Sequence, residues 1–122
     1  MRVLVLGAGG MLARDIAAQA PEGVKVMART RLETDITSES EVAQALRDCS
    51  PDLVINCAAY TSVDNAESQR REALAVNAEA PAMVARLARE SASGPLVIHY
   101  SSDYVFNGRA TRPYREDDVT DP

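Results

Sequence analysis

The sequence lacks several features that would assign it to common protein classes. It has no excess of positive charge, because 13 Lys and Arg residues stand against 18 Asp and Glu residues, for a net charge of −5. A basic surface of the kind that nucleic acid or anionic lipid selects is therefore excluded. Apolar runs are short as well, and the longest near the start, VLVLGAGG, is broken by glycines before it reaches the length of a signal sequence or a membrane span. Export and membrane insertion are not expected.

Cysteine is also scarce. The chain has two, Cys49 and Cys57, and Cys57 follows a run that is predicted to be a buried strand. Free thiols in a reducing compartment are favoured over a disulfide, which points to the cytoplasm.

What is present is an ordinary globular composition. The 122 residues are 46% hydrophobic and 25% charged, and no repeat is visible. This length suits one domain with its own core, or part of one, so residues 1–122 are treated as a single domain.

Short apolar runs alternate with helical patterns along the chain. RVLVL, GVKVMA, LVINCAA and LVIHYSS read as strands, the last two buried, and residues 32–36 suggest a further brief strand. Ser38 and Glu41 have the spacing of a capping box at the start of a helix. A long helix is predicted over residues 67–91, with a kink or break near Asn77 because Pro81 interrupts it. This alternation predicts an α/β fold, a Rossmann-like doubly wound parallel sheet of about five strands, with ligands at the carboxyl ends of the strands.

A glycine cluster lies between the first strand and the first helix. Gly7 and Gly10 are three apart and Ala13 occupies the third small position, so GAGGMLA has the spacing G-x-x-G-x-x-A. Small residues there allow a tight turn, a close approach of pyrophosphate and a helix start near the strand. The sequence predicts dinucleotide binding, and a purely structural tight turn is the alternative.

The residues after the second strand bear on which dinucleotide is bound. This region reads MARTR, so Arg29 and Arg31 are available and no carboxylate precedes Glu33. An arginine here suits the 2′-phosphate, so NADP(H) is favoured, with NAD(H) also allowed. The alternative is that both arginines belong to a solvated loop.

Several segments together resemble a known family. GAGGMLA, DIT at 35–37, NCAAYTSVDNAE at 56–67, VNAEAP at 76–81 and SSDYVFNG at 101–108 resemble the extended short-chain dehydrogenase/reductases, and within them the dTDP-4-dehydrorhamnose reductases. The resemblance covers the whole chain. It implies NADP(H)-dependent reduction of dTDP-4-dehydro-6-deoxy-L-mannose to dTDP-L-rhamnose, with a dTDP-sugar as substrate. It also allows a homodimer, and some members use magnesium, although no clear ligand set is visible here.

The resemblance also implies roles for individual residues. Ser102 would donate a hydrogen bond to the substrate carbonyl and so stabilise developing negative charge. The residues implied for substrate binding are Val63, Asp64, Asp103 and Tyr104. The residues implied for cofactor binding are Gly7, Gly9, Gly10, Met11, Leu12, Arg29, Asp35, Ile36, Cys57, Ala58, Ala59, Tyr60, Asn77 and Ser101.

Two of these regions also have structural interpretations. Asp64 and Glu67 have the spacing of another capping box, with Asp64 as the N-cap, and this is expected alongside the binding role. His99 is the only histidine, and its place in an apolar strand favours a core or interface residue over a proton donor.

The resemblance further implies a catalytic Tyr-x-x-x-Lys pair, and the sequence has none. The only lysine is Lys25, in a predicted strand. An unperturbed phenol is poorly matched to proton transfer at neutral pH, so the pair is needed. We therefore expect an amino-terminal part of a longer reductase, inactive alone and with an exposed hydrophobic sheet edge. The alternatives are a non-catalytic cofactor-binding regulatory subunit and a nucleotide-sugar epimerase or dehydratase.

Overall fold

Four parallel strands form the centre of the fold in a computed structural model that describes residues 1–121. The strands are β1 (Arg2–Leu6), β2 (Lys25–Arg29), β3 (Leu53–Asn56) and β4 (Leu96–His99), and their order in the sheet is β2-β1-β3-β4. The helices are α1 (Met11–Ala18), α2 (Glu39–Cys49), α3 (Val63–Ser68), α4 (Arg70–Leu74) and α5 (Ala80–Glu90). This is the predicted Rossmann-like parallel sheet.

Helices cover both faces of the sheet, because the apolar strand residues alternate between two cores. On one face Leu4, Leu6 and Val54 pack with residues of α2 and α5, such as Val42 and Val84. On the other face Val3, Val5 and Ile55 pack against Ala13 and Ile16 of α1. Both β1 and β3 are therefore buried on two sides, as their nearly unbroken apolar sequences predict.

The prediction of about five strands is wrong by one strand. Residues 32–36 form turns, because the backbone N–H and the hydroxyl of Thr30 both donate to the Glu33 carboxylate, each at 2.8 Å, and the Thr34 N–H donates to the Thr30 carbonyl. Side chains that bond to the nearby backbone offer it an alternative to strand pairing.

The expectation that the final strand is buried is also wrong. In β4, Leu96 is 68% exposed and Ile98 38% exposed, and the strand ends at His99, so Ser101 and Ser102 lie in the loop that follows. Val97 packs on the α2 and α5 side, but on the opposite face α1 covers only β1, β2 and β3. Because β4 is an edge strand, His99 is exposed too and is not a core residue.

The predicted long helix is interrupted, as Pro81 indicates. A π-helical turn, Ala75–Glu79, lies between α4 and α5, with Asn77 at its centre. A second break at Gln69 separates α3 from α4. The helical run therefore begins earlier than expected and changes geometry near Asn77, as predicted.

The two predicted capping boxes have different outcomes. Ser38 is the N-cap of α2 and its hydroxyl accepts from the Glu41 N–H at 3.4 Å, whereas the Glu41 carboxylate accepts from the Asp35 N–H at 2.8 Å. Asp64 is not an N-cap, since Ser62 precedes α3 and Asp64 lies in its first turn. Residues 1–121 contain no helix that is long and apolar enough to cross a membrane.

Candidate functional site

The carboxyl ends of three strands lie side by side, because the register pairs Leu6 with Asn56 and Asn56 with His99. The strand order changes direction between β1 and β3, since β2 lies on one side of β1 and β3 and β4 lie on the other. In open parallel sheets a ligand crevice forms at such a switch point. The glycine turn follows β1, and residues 57–61 follow β3, so both border this crevice.

Gly7 packs tightly against the segment that follows β3. Its φ is +82°, and a Cβ added to it would lie 2.6 Å from the Ala58 nitrogen. Both the conformation and the space therefore require glycine. A Cβ on Gly9 would meet no atom within 4 Å, so the structure itself does not require glycine at that position.

The N-terminus of α1 borders the same crevice, and no side chain accepts a hydrogen bond from its free backbone N–H groups. Its N-cap is Gly10, no side chain caps it, and its first turn contains no acidic residue. In α2, by contrast, Ser38 caps the helix and Glu39 and Glu41 lie in the first turn. Uncapped amides at a helix N-terminus favour an anionic ligand.

The glycine turn opens into a cavity of about 310 Å³, here named the glycine cavity. Its lining is mostly apolar, with a few polar groups. The lining residues are Gly7, Gly9, Gly10, Arg31, Thr34, Asp35, Ile36, Cys57, Ala58, Ala59, Tyr60, Thr61 and Val76.

Asp35 and Arg31 provide the charges of the glycine cavity. The side-chain and backbone hydrogen bonds from Thr37 lower the pKa of Asp35, and Arg31, 3.3 Å away, adds to this. Arg31 also lies 3.6 Å from Glu72 of α4. The Arg31 side chain is 69% exposed, so it remains accessible to a further anion.

A second cavity, of about 500 Å³, lies at the ends of β3 and β4 and is here named the serine cavity. Ser102 is exposed, and its side chain makes no capping bond to the short 3₁₀ turn Asp103–Val105 that follows. The lining residues are Leu12, Asn56, Cys57, Ala58, Ala59, Tyr60, Thr61, Val63, Asn77, His99, Tyr100, Ser101, Ser102 and Tyr104.

Residues 57–61 line both cavities and are here named the shared wall. Asn56, which is 1% exposed, holds its start: the Oδ1 atom accepts from the Ala58 N–H at 3.1 Å, and the Nδ2 atom lies 3.2 Å from His99 Nδ1. Burial raises the pKa of the Cys57 thiol, and neither Cys57 nor Cys49 forms a disulfide. A ligand in one cavity is therefore separated from a ligand in the other by a single stretch of backbone.

The structure brings most of the predicted site residues to these cavities. Ser102, Ser101, Val63, Tyr104, Asn77 and Leu12 line the serine cavity, Gly7, Gly9, Gly10, Asp35 and Ile36 line the glycine cavity, and Cys57, Ala58, Ala59 and Tyr60 line both. Met11, Arg29, Asp64 and Asp103 line neither. Arg29 instead uses its carbonyl to accept from the Ala8 N–H, and Arg31 is the arginine that reaches the glycine cavity.

Sequence reasoning did not identify Asn56 or Gln69. Asn56 could have been found, because it is the one polar residue in an otherwise apolar strand, and a buried amide needs partners. Gln69 hydrogen-bonds the Tyr60 hydroxyl from the break between α3 and α4, and nothing in the sequence signals that contact. Within the described residues, no group of three or more His, Cys, Asp and Glu side chains could hold a metal.

Several known proteins that are similar to this chain in sequence and fold are dTDP-4-dehydrorhamnose reductases. The dTDP-4-dehydrorhamnose reductase of Sinorhizobium fredii is 42% identical over 122 residues, which cover 100% of this chain and 40% of that protein. The crystal structure of such a reductase from Clostridium acetobutylicum superposes with a TM-score of 0.92 at 36% identity, over 100% of this chain and 43% of that one. The corresponding Bacillus anthracis structure, in complex with NADP, also has a TM-score of 0.92, at 33% identity over 99% and 43%.

The chain thus spans about 40% of the length of the curated relatives it matches. The match to the family described as the RmlD substrate binding domain extends over residues 1–122. This chain belongs to the RmlD substrate binding domain family.

Proposed function

We propose that this chain is the cofactor-binding part of an NADP(H)-dependent dTDP-4-dehydrorhamnose reductase, which converts dTDP-4-dehydro-6-deoxy-L-mannose to dTDP-L-rhamnose. The observation that carries the proposal is the shared wall, because it brings a dinucleotide-type turn and an exposed serine cavity together at one switch point. Hydride transfer needs two ligands side by side, and this arrangement provides for two. The free thiols support the cytoplasm as the compartment.

The residues of the glycine cavity fit a pyrophosphate dinucleotide. The uncapped start of α1 suits the phosphates, and the open space beside Gly9 allows a close approach to the backbone. Small residues Ala58 and Ala59 leave room over the shared wall. When bound, NADP(H) supplies the hydride, and this part of the chain binds and orients it.

Arg31 supports NADP(H) over NAD(H). It lines the glycine cavity beside Asp35 and Ile36, which the resemblance implies for cofactor binding, and a guanidinium suits a 2′-phosphate. Arg31, rather than Arg29, carries this part of the proposal.

Ser102 is proposed to donate its hydroxyl hydrogen to the C4 carbonyl oxygen of the sugar. Such a donor stabilises the negative charge that develops on that oxygen during reduction. Val63 and Tyr104 line the same cavity and are proposed sugar contacts, whereas Asp64 and Asp103 stay predictions from the resemblance alone.

The proton for that oxygen is proposed to come from a tyrosine outside residues 1–122, because no Tyr-x-x-x-Lys occurs within them. Sequencing the reading frame beyond Pro122 tests this. A Tyr-x-x-x-Lys there supports the reductase, and a frame without it would instead favour the non-catalytic cofactor-binding subunit.

The decisive experiment measures NADPH oxidation with dTDP-4-dehydro-6-deoxy-L-mannose, using the product of the full reading frame. We expect Ser102→Ala to lower kcat by about 10²–10³, the usual effect of losing one donor to a developing oxyanion, with little change in NADPH affinity. Ser93→Ala is the matched control, because Ser93 is exposed and precedes β4 at the opposite end of the strand. Unchanged turnover in Ser102→Ala would remove Ser102 from the mechanism.

A further inference from the structure

The shared wall has no regular secondary structure, although both proposed ligands depend on its position. Its first half is fixed by Asn56 and by the close approach of Gly7 to Ala58. Its second half, around Tyr60, is held by residues of the helical run that covers it.

Asn77 binds the main chain of Tyr60 through both ends of its amide. The Oδ1 atom accepts from the Tyr60 N–H at 2.8 Å, and the Nδ2 atom donates to the Tyr60 carbonyl at 3.0 Å. A side-chain amide that pairs with one residue's N–H and C=O in this way reproduces strand pairing at a single position. The Asn77 side-chain oxygen and one of its two N–H hydrogens are therefore bonded to the protein rather than to a ligand.

The π-helical turn places Asn77 where it makes this contact. Each π turn takes one more residue than an α turn, and π turns inside α-helices are often found at functional sites. Pro81 follows at the start of α5, and it lacks the N–H that an α-helix would use to bond the carbonyl of residue 77. Pro81 therefore accounts for the irregular helix geometry, and this geometry orients Asn77 toward Tyr60.

Gln69 holds the same residue from the other side. The Tyr60 hydroxyl donates to Gln69 Oε1 at 2.8 Å, and Gln69 lies at the break between α3 and α4. Both interruptions of the helical run therefore supply a hydrogen bond to Tyr60, one to its backbone and one to its hydroxyl.

We infer that Asn77 and Gln69 are positioning residues: they fix Tyr60 and with it the shared wall, and so set the spacing between the cofactor and the sugar. This inference rests on the proposed function, and it replaces the earlier expectation that Asn77 contacts the cofactor. Neither residue takes part in the chemical step.

The test uses the product of the full reading frame and two readouts, amide hydrogen exchange at Tyr60 and affinity for NADP⁺. Loss of the Asn77 hydrogen bonds in Asn77→Ala should speed exchange at Tyr60 and weaken NADP⁺ roughly three- to tenfold, the equivalent of one net hydrogen bond. Gln44→Ala is the matched control, because Gln44 is an exposed helical amide on α2 away from both cavities. It should change neither readout.

Asn77→Asp adds a pH-dependent readout. An ionised carboxylate still accepts from the Tyr60 N–H but repels the Tyr60 carbonyl, whereas a protonated carboxyl can donate to it. We therefore expect NADP⁺ affinity in Asn77→Asp to recover toward the parent value as the pH falls below about 4, near the ordinary carboxyl pKa.

The outcomes separate the alternatives. Weaker NADP⁺ binding in Asn77→Ala with unchanged exchange at Tyr60 would mean that Asn77 touches the cofactor, and no change in either readout would also overturn the inference. If Asn77→Ala does not fold, Tyr60→Phe tests the Gln69 contact alone, and unchanged affinity there would count against it. If the parent fails to bind NADP⁺, the proposed function is wrong, whereas exchange at Tyr60 still decides whether Asn77 fixes the wall.

Discussion

Gly7 and Gly9 stand two residues apart in the same turn but meet different surroundings. Gly7 has a left-handed φ of +82° and touches the Ala58 backbone, whereas the space around Gly9 is open. Both line the glycine cavity. One glycine is therefore needed by the fold, and the other is available to a ligand.

We predict opposite patterns for the two alanine variants. Gly7→Ala should lower the free energy of unfolding by roughly 1–3 kcal/mol for the backbone conformation alone, with more from the clash at Ala58. Gly9→Ala should leave stability within about 0.5 kcal/mol, as for an uncrowded surface position, yet weaken NADP⁺ binding, because the new methyl group would enter the space proposed for the phosphates. Urea denaturation and NADP⁺ titration measure the two effects. Equal destabilisation by both variants would contradict this division.

The residues could be identified from the sequence only in part. The glycine spacing predicted the turn, but not which glycine the fold requires, because the contact with Ala58 joins residues about 50 positions apart. The sequence offered both Arg29 and Arg31, and it did not show that only Arg31, which lies in the turn at residues 30–34, lines the cavity. A side chain's direction in a loop depends on hydrogen bonds that a pattern does not specify.

At the scale of elements, the connection between β2 and α2 shows why a strand was predicted where none exists. Leu32 to Ile36 has apolar residues at both ends, but Thr30, Glu33, Asp35 and Thr37 bond to one another and to the backbone. The hydrogen bonds from Thr37 lower the pKa of Asp35, as does nearby Arg31. The connection is therefore held by ionised carboxylates.

This arrangement predicts a particular dependence on pH. The folded-state pKa of Asp35 lies below its ordinary value of 3.8, so its contribution to stability is present above that pH and is lost as the pH falls through the folded-state value. Asp35→Asn should lower the free energy of unfolding by roughly 1 kcal/mol between pH 5 and 7. The difference from the parent should shrink below about pH 4.

Thermal unfolding across that pH range measures the effect. Asp48→Asn serves as the control, because Asp48 is an exposed residue of α2 that accepts a hydrogen bond from Gln44. A constant difference between Asp35→Asn and the parent down to pH 3 would show that Asp35 does not stabilise the connection as a carboxylate.

The helical run was predicted more successfully than this connection, for a physical reason. Pro81 removes a backbone donor, so a break near Asn77 follows from the sequence alone. The break at Gln69 has no such marker. It was missed because no residue there removes a backbone donor, and the contact of Gln69 with Tyr60 depends on tertiary packing.

At the scale of the whole molecule, the two edges of the sheet are unlike. The β2 edge carries the charged residues Lys25 and Arg29, a common protection against pairing with another strand, whereas β4 has the sequence LVIH and no such charge. The alternation of strands and helices predicted the parallel sheet correctly. It could not show that one face of β4 lacks a covering helix, since burial of an edge strand depends on what lies beside it.

The exposed face of β4 predicts self-association of residues 1–122 when they are produced alone. Leu96 and Ile98 lie on one face, 68% and 38% exposed, next to unpaired backbone groups, so two copies gain by covering each other. Sedimentation velocity should show an average mass that rises with protein concentration, and Leu96→Lys should reduce this rise. Leu32→Lys is the matched control, because Leu32 is almost fully exposed but lies in the loop after β2. An equal reduction by both variants would show that general surface apolarity, rather than the β4 edge, drives the association.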